Sequence, residues 1–301
     1  MLLTIFTPTY NRAELLANLY RSICSQIGFS DFEWLIIDDG STDYTAQVVA
    51  EWLKEQHPFE LRYVQRPNGG KHRAFNQAAQ LAHGEWFLCI DSDDRLASDD
   101  ALALLAPKLQ ALTEMERFCS LTAMRVTPEG EVIGTENMPD DLDTDFFTYR
   151  TLMQVQGDRA EVFRTSTLRQ YPFPEFEGEK FLSEGGLMVE LSKRYLTRFS
   201  TLPLVICKYL PGGLSNNIDR LLQENPLGVM HNTRLYFSHP KASRSMKLQK
   251  LHQHHCAMRR ARAMGKEIPA TCLPTAAMRR RSWLLPLLDV AASLKRMLRR
   301  Q

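Results

Sequence analysis

The chain is 301 residues long, 44% hydrophobic and 24% charged, with 15 glycines and 15 prolines. That make-up is globular and excludes collagen-like, low-complexity and wholly disordered readings. The net charge of +2 hides a division: residues 241–301 hold 15 Lys and Arg against two Asp and Glu, and the first 240 residues are net acidic by 11 charges. An acidic body with a basic tail is the first functional clue.

The six cysteines (Cys24, Cys89, Cys119, Cys207, Cys256 and Cys272) are scattered and form no Cys-x-x-Cys pair. Reduced thiols in a cytoplasmic protein are the expectation. The N-terminus runs straight into a strand-like segment, with no basic n-region or cleavage site. No apolar run reaches the ~18–20 residues of a membrane span, and the longest, 283–294, is broken by Pro286 and Asp289. The protein is therefore expected to be soluble or peripheral to a membrane.

In chain order, residues 2–7 form a β-rich apolar run, and 13–26 carry Leu15, Leu16, Leu19 and Ile23 at helical spacing. Strands are predicted at 32–37, 61–65 and 85–90, and helices at 42–56, 71–82 and 99–112. Strands that alternate with helices, each strand a nearly continuous apolar run, indicate a parallel sheet covered on both faces. From about residue 118 the pattern loosens. Strands are predicted at 118–126, 162–164 and 203–209, a helix at 185–195, and an acidic loop holds Asp140, Asp141, Asp143 and Asp145. Pro211-Gly212-Gly213 closes the α/β region, and the chain beyond reads as helical and basic.

Ligands of parallel α/β sheets bind beyond the carboxyl ends of the strands. Four turns occupy those ends: Thr7-Pro8-Thr9-Tyr10-Asn11-Arg12, Asp38-Asp39-Gly40-Ser41-Thr42-Asp43, Asn68-Gly69-Gly70-Lys71 and Asp91-Ser92-Asp93-Asp94. Two carboxylate clusters on one edge repel each other unless a cation intervenes, and Mg²⁺ or Mn²⁺ favours such oxygens together with those of a diphosphate. If 91–93 stays extended, Asp91 and Asp93 point to the same side. Asp93 and Asp94 also suit a helix cap, and Asp38-Asp39-Gly40 also suits an Asx-type turn. Lys71 after two glycines resembles a phosphate cradle, but Gln65 and His72 exclude a Walker A loop, and no Gly-x-Gly-x-x-Gly follows a strand.

Taken in order, Thr-Pro-Thr-Tyr-Asn-Arg, Ile-Ile-Asp-Asp-Gly-Ser-Thr-Asp, Asn-Gly-Gly-Lys with Ala-Phe-Asn-Gln-Ala, and Asp-Ser-Asp-Asp resemble the family 2 glycosyltransferases. The resemblance is strong over 1–115 and weaker to about 215. It implies a GT-A-type fold, a Rossmann-like and mostly parallel sheet flanked by helices. It also implies inverting transfer from a nucleoside-diphosphate sugar, with uridine the favoured base. Thr7, Pro8, Tyr10 and Asp39 match nucleoside-holding positions, and Lys71 falls where a basic residue meets the nucleotide. Asp91 matches the ribose side of the Asp-x-Asp motif and Asp93 its metal ligand. A carboxylate base must take the acceptor proton. The Gly-Glu-Lys-Phe segment at 178–181 resembles a subgroup in which a Glu precedes a helix, which points to Glu184, with Glu179 second. Glu184-Gly185-Gly186 departs from relatives that carry a second carboxylate there.

The expected organisation is a catalytic domain over 1–215, with a nucleotide half to about 115 and an acceptor half beyond. A basic helical extension covers 216–301. His252, His254, His255 and Cys256 lack the second half of a zinc site. In the tail, Arg279-Arg280-Arg281, Trp283 and the stripe Leu284, Leu287, Leu288, Ala291, Leu294 and Leu298 describe an interfacial helix on an anionic membrane, through residues 279–301. The same stripe would also pack on the domain or on a second subunit, so an oligomer stays open. No nucleic-acid motif accompanies the charge. The expected acceptor is a lipid-linked sugar or polysaccharide in surface-glycan synthesis. The rival functions are a non-catalytic nucleotide-sugar sensor or scaffold and a nucleotidyltransferase. The latter needs a Gly-rich N-terminal loop, and residues 7–12 have no glycine.

Overall fold

The computed structural model describes residues 1–207 and 217–286. They fall into two compact units that do not follow chain order: Met1–Phe173 with Arg194–Pro211, and Pro174–Lys193 with Gly212–Gln301.

The first unit is built on one sheet. Strand β1 (Leu3–Thr9) and β2 (Phe32–Asp38) are buried along almost their whole length, as their unbroken apolar runs require of strands covered on both faces. They pair in parallel with each other, β2 with β3 (Glu60–Gln65), and β1 with β4 (Trp86–Cys89). Helix α1 (Ala13–Cys24) buries Ala13, Leu16, Leu19 and Ile23, one face at helical spacing. Helix α2 (Thr45–Trp52) starts three residues later than its periodicity predicts, because Asp43 accepts from the backbone and hydroxyl of Thr45 and fixes the start. Helices α3 (Lys71–Leu81) and α4 (Ala101–Thr113) complete the nucleotide half. Phe6, Phe75, Phe87 and Phe173 form a run of ring contacts between strand and helix.

The sheet is mostly parallel, as expected, and its second half adds the strands that run the other way. Strand β8 (Arg159–Arg164) is antiparallel to both β4 and β6 (Phe118–Val126), and β9 (Leu196–Ile206) is parallel to β6. The order is β3-β2-β1-β4-β8-β6-β9-β5, with β5 (Arg95–Leu96) on one edge and β7 (Leu142–Thr144) paired to β9. Strand β9 begins at Leu196, earlier than the expected 203, and its pairing with β6 shifts register. The acidic loop is partly strand, and its carboxylates are used: Asp143 binds Arg198 twice, and Asp140 takes Ser200, the Thr201 N–H and Lys108. Helix α5 (Thr165–Gln170) follows β8.

The second unit is helical among its described residues. Helices α6 (Gly185–Leu191), α7 (Ile218–Glu224), α8 (Pro226–Ser238), α9 (Arg244–Ala263) and α10 (Ala276–Arg279) enclose Phe176, Leu227, Met230, Ala257, Ala261 and Cys272, with a smaller cluster of Phe237, Leu251 and Met278. No helix of the described residues is long and apolar enough to cross a membrane. The 211–213 turn and the tail stripe from Leu287 onward lie outside the described residues.

Candidate active site

Strand β1 lies between β2 and β4, so the chain turns one way after β1 and the other way after β3. Such a reversal opens a crevice at the carboxyl ends of the strands. The four predicted turns meet there. Asn11 adopts φ +52, and its side-chain oxygen accepts from the Thr42 and Asp43 N–H groups, while its own N–H donates to Ser41. The loops after β1 and β2 are thereby pinned together. Asp38 is fully buried and accepts from Tyr63 and the Ser41 N–H. Burial and this bond raise the Tyr63 pKa.

Asp39 has a structural occupation. It accepts from the Gly69 N–H at 3.0 Å, the Gly70 N–H at 2.7 Å and the Asn68 amide at 3.2 Å, and it pairs with Arg66 at 3.3 Å. These contacts use the lone pairs of both oxygens. Gly40 at φ +87 lets the loops approach, since a Cβ there would lie 2.9 Å from the Asn68 nitrogen.

The Asp91–Asp94 turn gathers three ion pairs. Lys71 Nζ, from the first turn of α3, lies 2.7 Å from Asp91. Arg12 Nη1 lies 2.5 Å from Asp93. Asp94 pairs with Arg125 at the end of β6, and Arg125 also donates to the Arg159 carbonyl. Burial would raise the Asp91 pKa, but the charges of Lys71, Arg125 and Arg12 outweigh it and hold the carboxyl below its ordinary range. For Asp94 burial wins, helped by the Asp91 and Asp93 charges, and its pKa is pushed up to about 6 despite Arg125. Burial and Asp94 likewise push the neighbouring Cys207 thiol up to about 12.

The remaining nucleoside positions are less uniform. Tyr10 is 48% exposed at the end of β1, and Pro8 is half-buried. Thr7 is fully buried, and its hydroxyl accepts from the Trp34 indole at 2.9 Å, so its side chain belongs to the core. Arg12 and Arg125 are site residues that the sequence reading passed over. Arg12 stands inside a motif, whereas Arg125 is brought in from β6 with no local signal.

Both candidate bases lie in the second unit. Glu184 is exposed at the N-cap of α6. Glu179 is 1% exposed; it accepts from the Leu227 and Gly228 N–H groups at 2.8 and 2.9 Å and pairs with Lys266 at 3.2 Å. It closes the N-terminus of α8, where Pro226 leaves those donors free, and this spends both oxygens. Gly186 faces Asn232, whose amide donates to the Ser183 carbonyl; a Cβ at Gly186 would lie 2.0 Å from the Asn232 oxygen.

His254 is buried on Thr233 and the Met230 carbonyl, while His252 lies beside Cys256 on the exposed side of α9. Among the described residues, one trio has ligand atoms close enough for a metal: Glu33, Glu60 and His83, within 4.8 Å of one another. It sits at the amino ends of the strands, away from the crevice. Glu33 there already accepts from Thr4, Arg62 and the His83 N–H, so Arg62 supplies the positive charge an ion would bring.

The comparisons with known proteins agree with this geometry. The family model "Glycosyl transferase family 2" matches residues 4–115. The abequosyltransferase RfbV of Salmonella typhimurium is 32% identical over 69% of this chain and 67% of its own. A Campylobacter jejuni GalNAc(5)-diNAcBac-PP-undecaprenol beta-1,3-glucosyltransferase is 29% identical over 64% of this chain and 60% of its own. Among solved structures, S. aureus TarS 1-349 in complex with UDP-GlcNAc superposes with a TM-score of 0.59 at 18% identity, over 86% of this chain and 81% of that one. The mannosyltransferase PcManGT of Pyrobaculum calidifontis, in complex with GDP-Man and Mn²⁺, gives 0.54 at 19% identity, over 97% and 79%. These two likenesses speak to the fold, which is GT-A-type. With the sequence match to RfbV across two thirds of both chains and the family model lying on the strands that build the crevice, the chain belongs to glycosyl transferase family 2.

Proposed function

We propose that this glycosyltransferase moves a sugar from a nucleoside diphosphate, UDP by preference, to an acceptor hydroxyl with inversion, using Mn²⁺ or Mg²⁺. The observation that carries the reading is the Asp91–Asp94 turn at the mouth of the crevice, facing Lys71 and Arg12. Asp91 and Asp93 offer hard carboxylate oxygens, the donor type these ions favour. When bound, the ion stabilises charge on the leaving diphosphate. Asp93 would hold it and Asp91 would meet the ribose. Lys71, on the first turn of α3, would neutralise a phosphate. The exposed Tyr10 and the half-buried Pro8 would offer a surface for the base, while Thr7 and Asp39 would support it through Trp34 and the 68–70 turn.

Glu184 is the proposed base. It takes the acceptor's proton as the acceptor oxygen attacks the anomeric carbon and the bond to the diphosphate breaks. Glu179, committed to α8, is the weaker candidate. The Campylobacter relative is named for an undecaprenol-linked acceptor and TarS is solved with UDP-GlcNAc. The first favours a lipid-linked surface-glycan acceptor, reached from the cytoplasmic side, and the second a UDP-sugar donor. The basic tail would dock on an anionic membrane, with Arg279, Arg280, Arg281 and the 70%-exposed Trp283 as its described part. The proposed catalytic region, 1–215, includes a segment, 174–193, that belongs to one compact unit with the basic extension, 216–301.

A thermal-shift screen of UDP-, GDP- and dTDP-sugars with and without Mn²⁺ tests the reading. One donor should raise the melting temperature, and more so with metal. No shift with any donor in the presence of metal overturns it.

A further inference from the structure

We propose that Arg12 is the resident counter-ion of Asp93 and makes divalent-cation binding depend on a nucleoside diphosphate. The inference rests on the metal site proposed above. Three carboxylates, Asp91, Asp93 and Asp94, face three cations, Lys71, Arg12 and Arg125. Within these three pairs the charges cancel without any ion. A dication that arrives by itself meets little net attraction and must compete with a guanidinium for Asp93 Oδ2.

The three cations are not equally free to leave. Arg125 is only 12% exposed and is also tied to the Arg159 carbonyl through Nε. Lys71 is as exposed as Arg12, but its partner is Asp91 and not the proposed metal ligand Asp93. Arg12 is about a quarter exposed, and its contact with Asp93 runs through a single nitrogen. Its backbone is fixed, because the neighbouring Asn11 clasps the 41–43 loop. Exchange at Asp93 is therefore a swing of the Arg12 side chain, with the loop left in place. Once displaced, the guanidinium needs an anion, and a diphosphate is the ligand that brings one. Cation and diphosphate entering together largely cancel each other's charge in the turn. Each then raises the other's affinity by the same factor.

Mn²⁺ binding to the full chain, followed by EPR of free Mn²⁺ and corrected for Mn²⁺ held by free nucleotide, tests this with UDP and with GDP. Wild type should bind Mn²⁺ at least tenfold more tightly with saturating nucleotide than without. Arg12→Gln should tighten binding of Mn²⁺ alone by about tenfold and shrink the nucleotide effect, while Arg12→Lys, which keeps the charge, should restore it. Nucleotide affinity measured with and without Mn²⁺ should show the same factors. If Mn²⁺ binds and Asp93→Asn abolishes binding, yet folded Arg12→Gln binds Mn²⁺ alone as wild type does, the role of Arg12 is overturned and the metal site stands. If wild type binds no Mn²⁺ with either nucleotide, the metal site itself is overturned.

Discussion

Two glutamates five residues apart, Glu179 and Glu184, show how little a side chain's identity says about its work. Both stand in an acidic stretch before a helix. One is buried against two backbone N–H groups and Lys266, and the other is exposed at the start of α6. Glu184→Gln should leave nucleotide affinity unchanged and lower kcat by ~10²–10⁴, the usual worth of a positioned base; transfer assays with a parallel binding titration decide it. Glu179→Ala leaves the Lys266 charge and two helix donors unpaired, so it should lower unfolding stability by about 3–5 kcal/mol, read from urea midpoints. At this scale the sequence marked which residues were charged. It could not mark which charges the fold would spend. Asp39 and Thr7 match nucleoside positions and turn out to hold the 68–70 turn and the Trp34 indole. Arg125 reaches the site from a strand more than thirty residues away.

At the scale of elements, legibility follows burial. Strands β1, β2 and β4 are buried along nearly their whole length and read as plain apolar runs, while the half-buried edge strand β3 carries polar residues between its apolar ones; the sequence located all four and their parallel pairing. Strand β9 carries Arg198, Ser200, Thr201 and Pro203 among its buried positions and shifts register against β6. Its pattern therefore broke where the pairing is irregular, and its first residues were lost. The two-residue β5 and the five-residue π-helix Thr148–Leu152 are too short to have a period. Gly186 supplies a test of packing over propensity. Alanine favours a helix by ~1 kcal/mol over glycine, yet its Cβ would lie 2.0 Å from the Asn232 oxygen. Gly186→Ala should therefore destabilise by about 1–3 kcal/mol. Adding Asn232→Ala should recover part of the loss, a non-additivity visible in melting temperatures.

For the molecule as a whole, charge sets two further expectations. Burial holds the His254 pKa down to about 4, with the Arg234 and His255 charges helping and its Met230 contact opposing. The unfolded chain then binds this proton more readily. The stabilisation is complete above about 6.5 and is lost as pH falls toward 4, by up to about 1.4 kcal/mol per pH unit. Urea midpoints of wild type between pH 4.5 and 7 should fall more steeply than those of His254→Asn; equal slopes reject the assignment. Removing residues 279–301 should release the protein from anionic vesicles in low salt, and unchanged sedimentation with vesicles rejects membrane docking.

The chain's passage between its two units bears on how the enzyme can be shortened. The chain leaves the sheet unit after Phe173, returns at Arg194 and leaves again after Pro211. Helix α6, which carries the proposed base at its N-cap, therefore gets its packing partner α8 from sequence that comes later. A protein stopped at residue 215 would keep every strand of the described residues and the whole Asp91–Asp94 turn. It would also strip helix α6, whose Leu187, Met188 and Val189 are buried in the full chain, of its partner α8. Such a fragment should bind a nucleotide yet aggregate and transfer nothing. The amino acids that separate a nucleotide binder from a working transferase would then lie downstream of the family motifs.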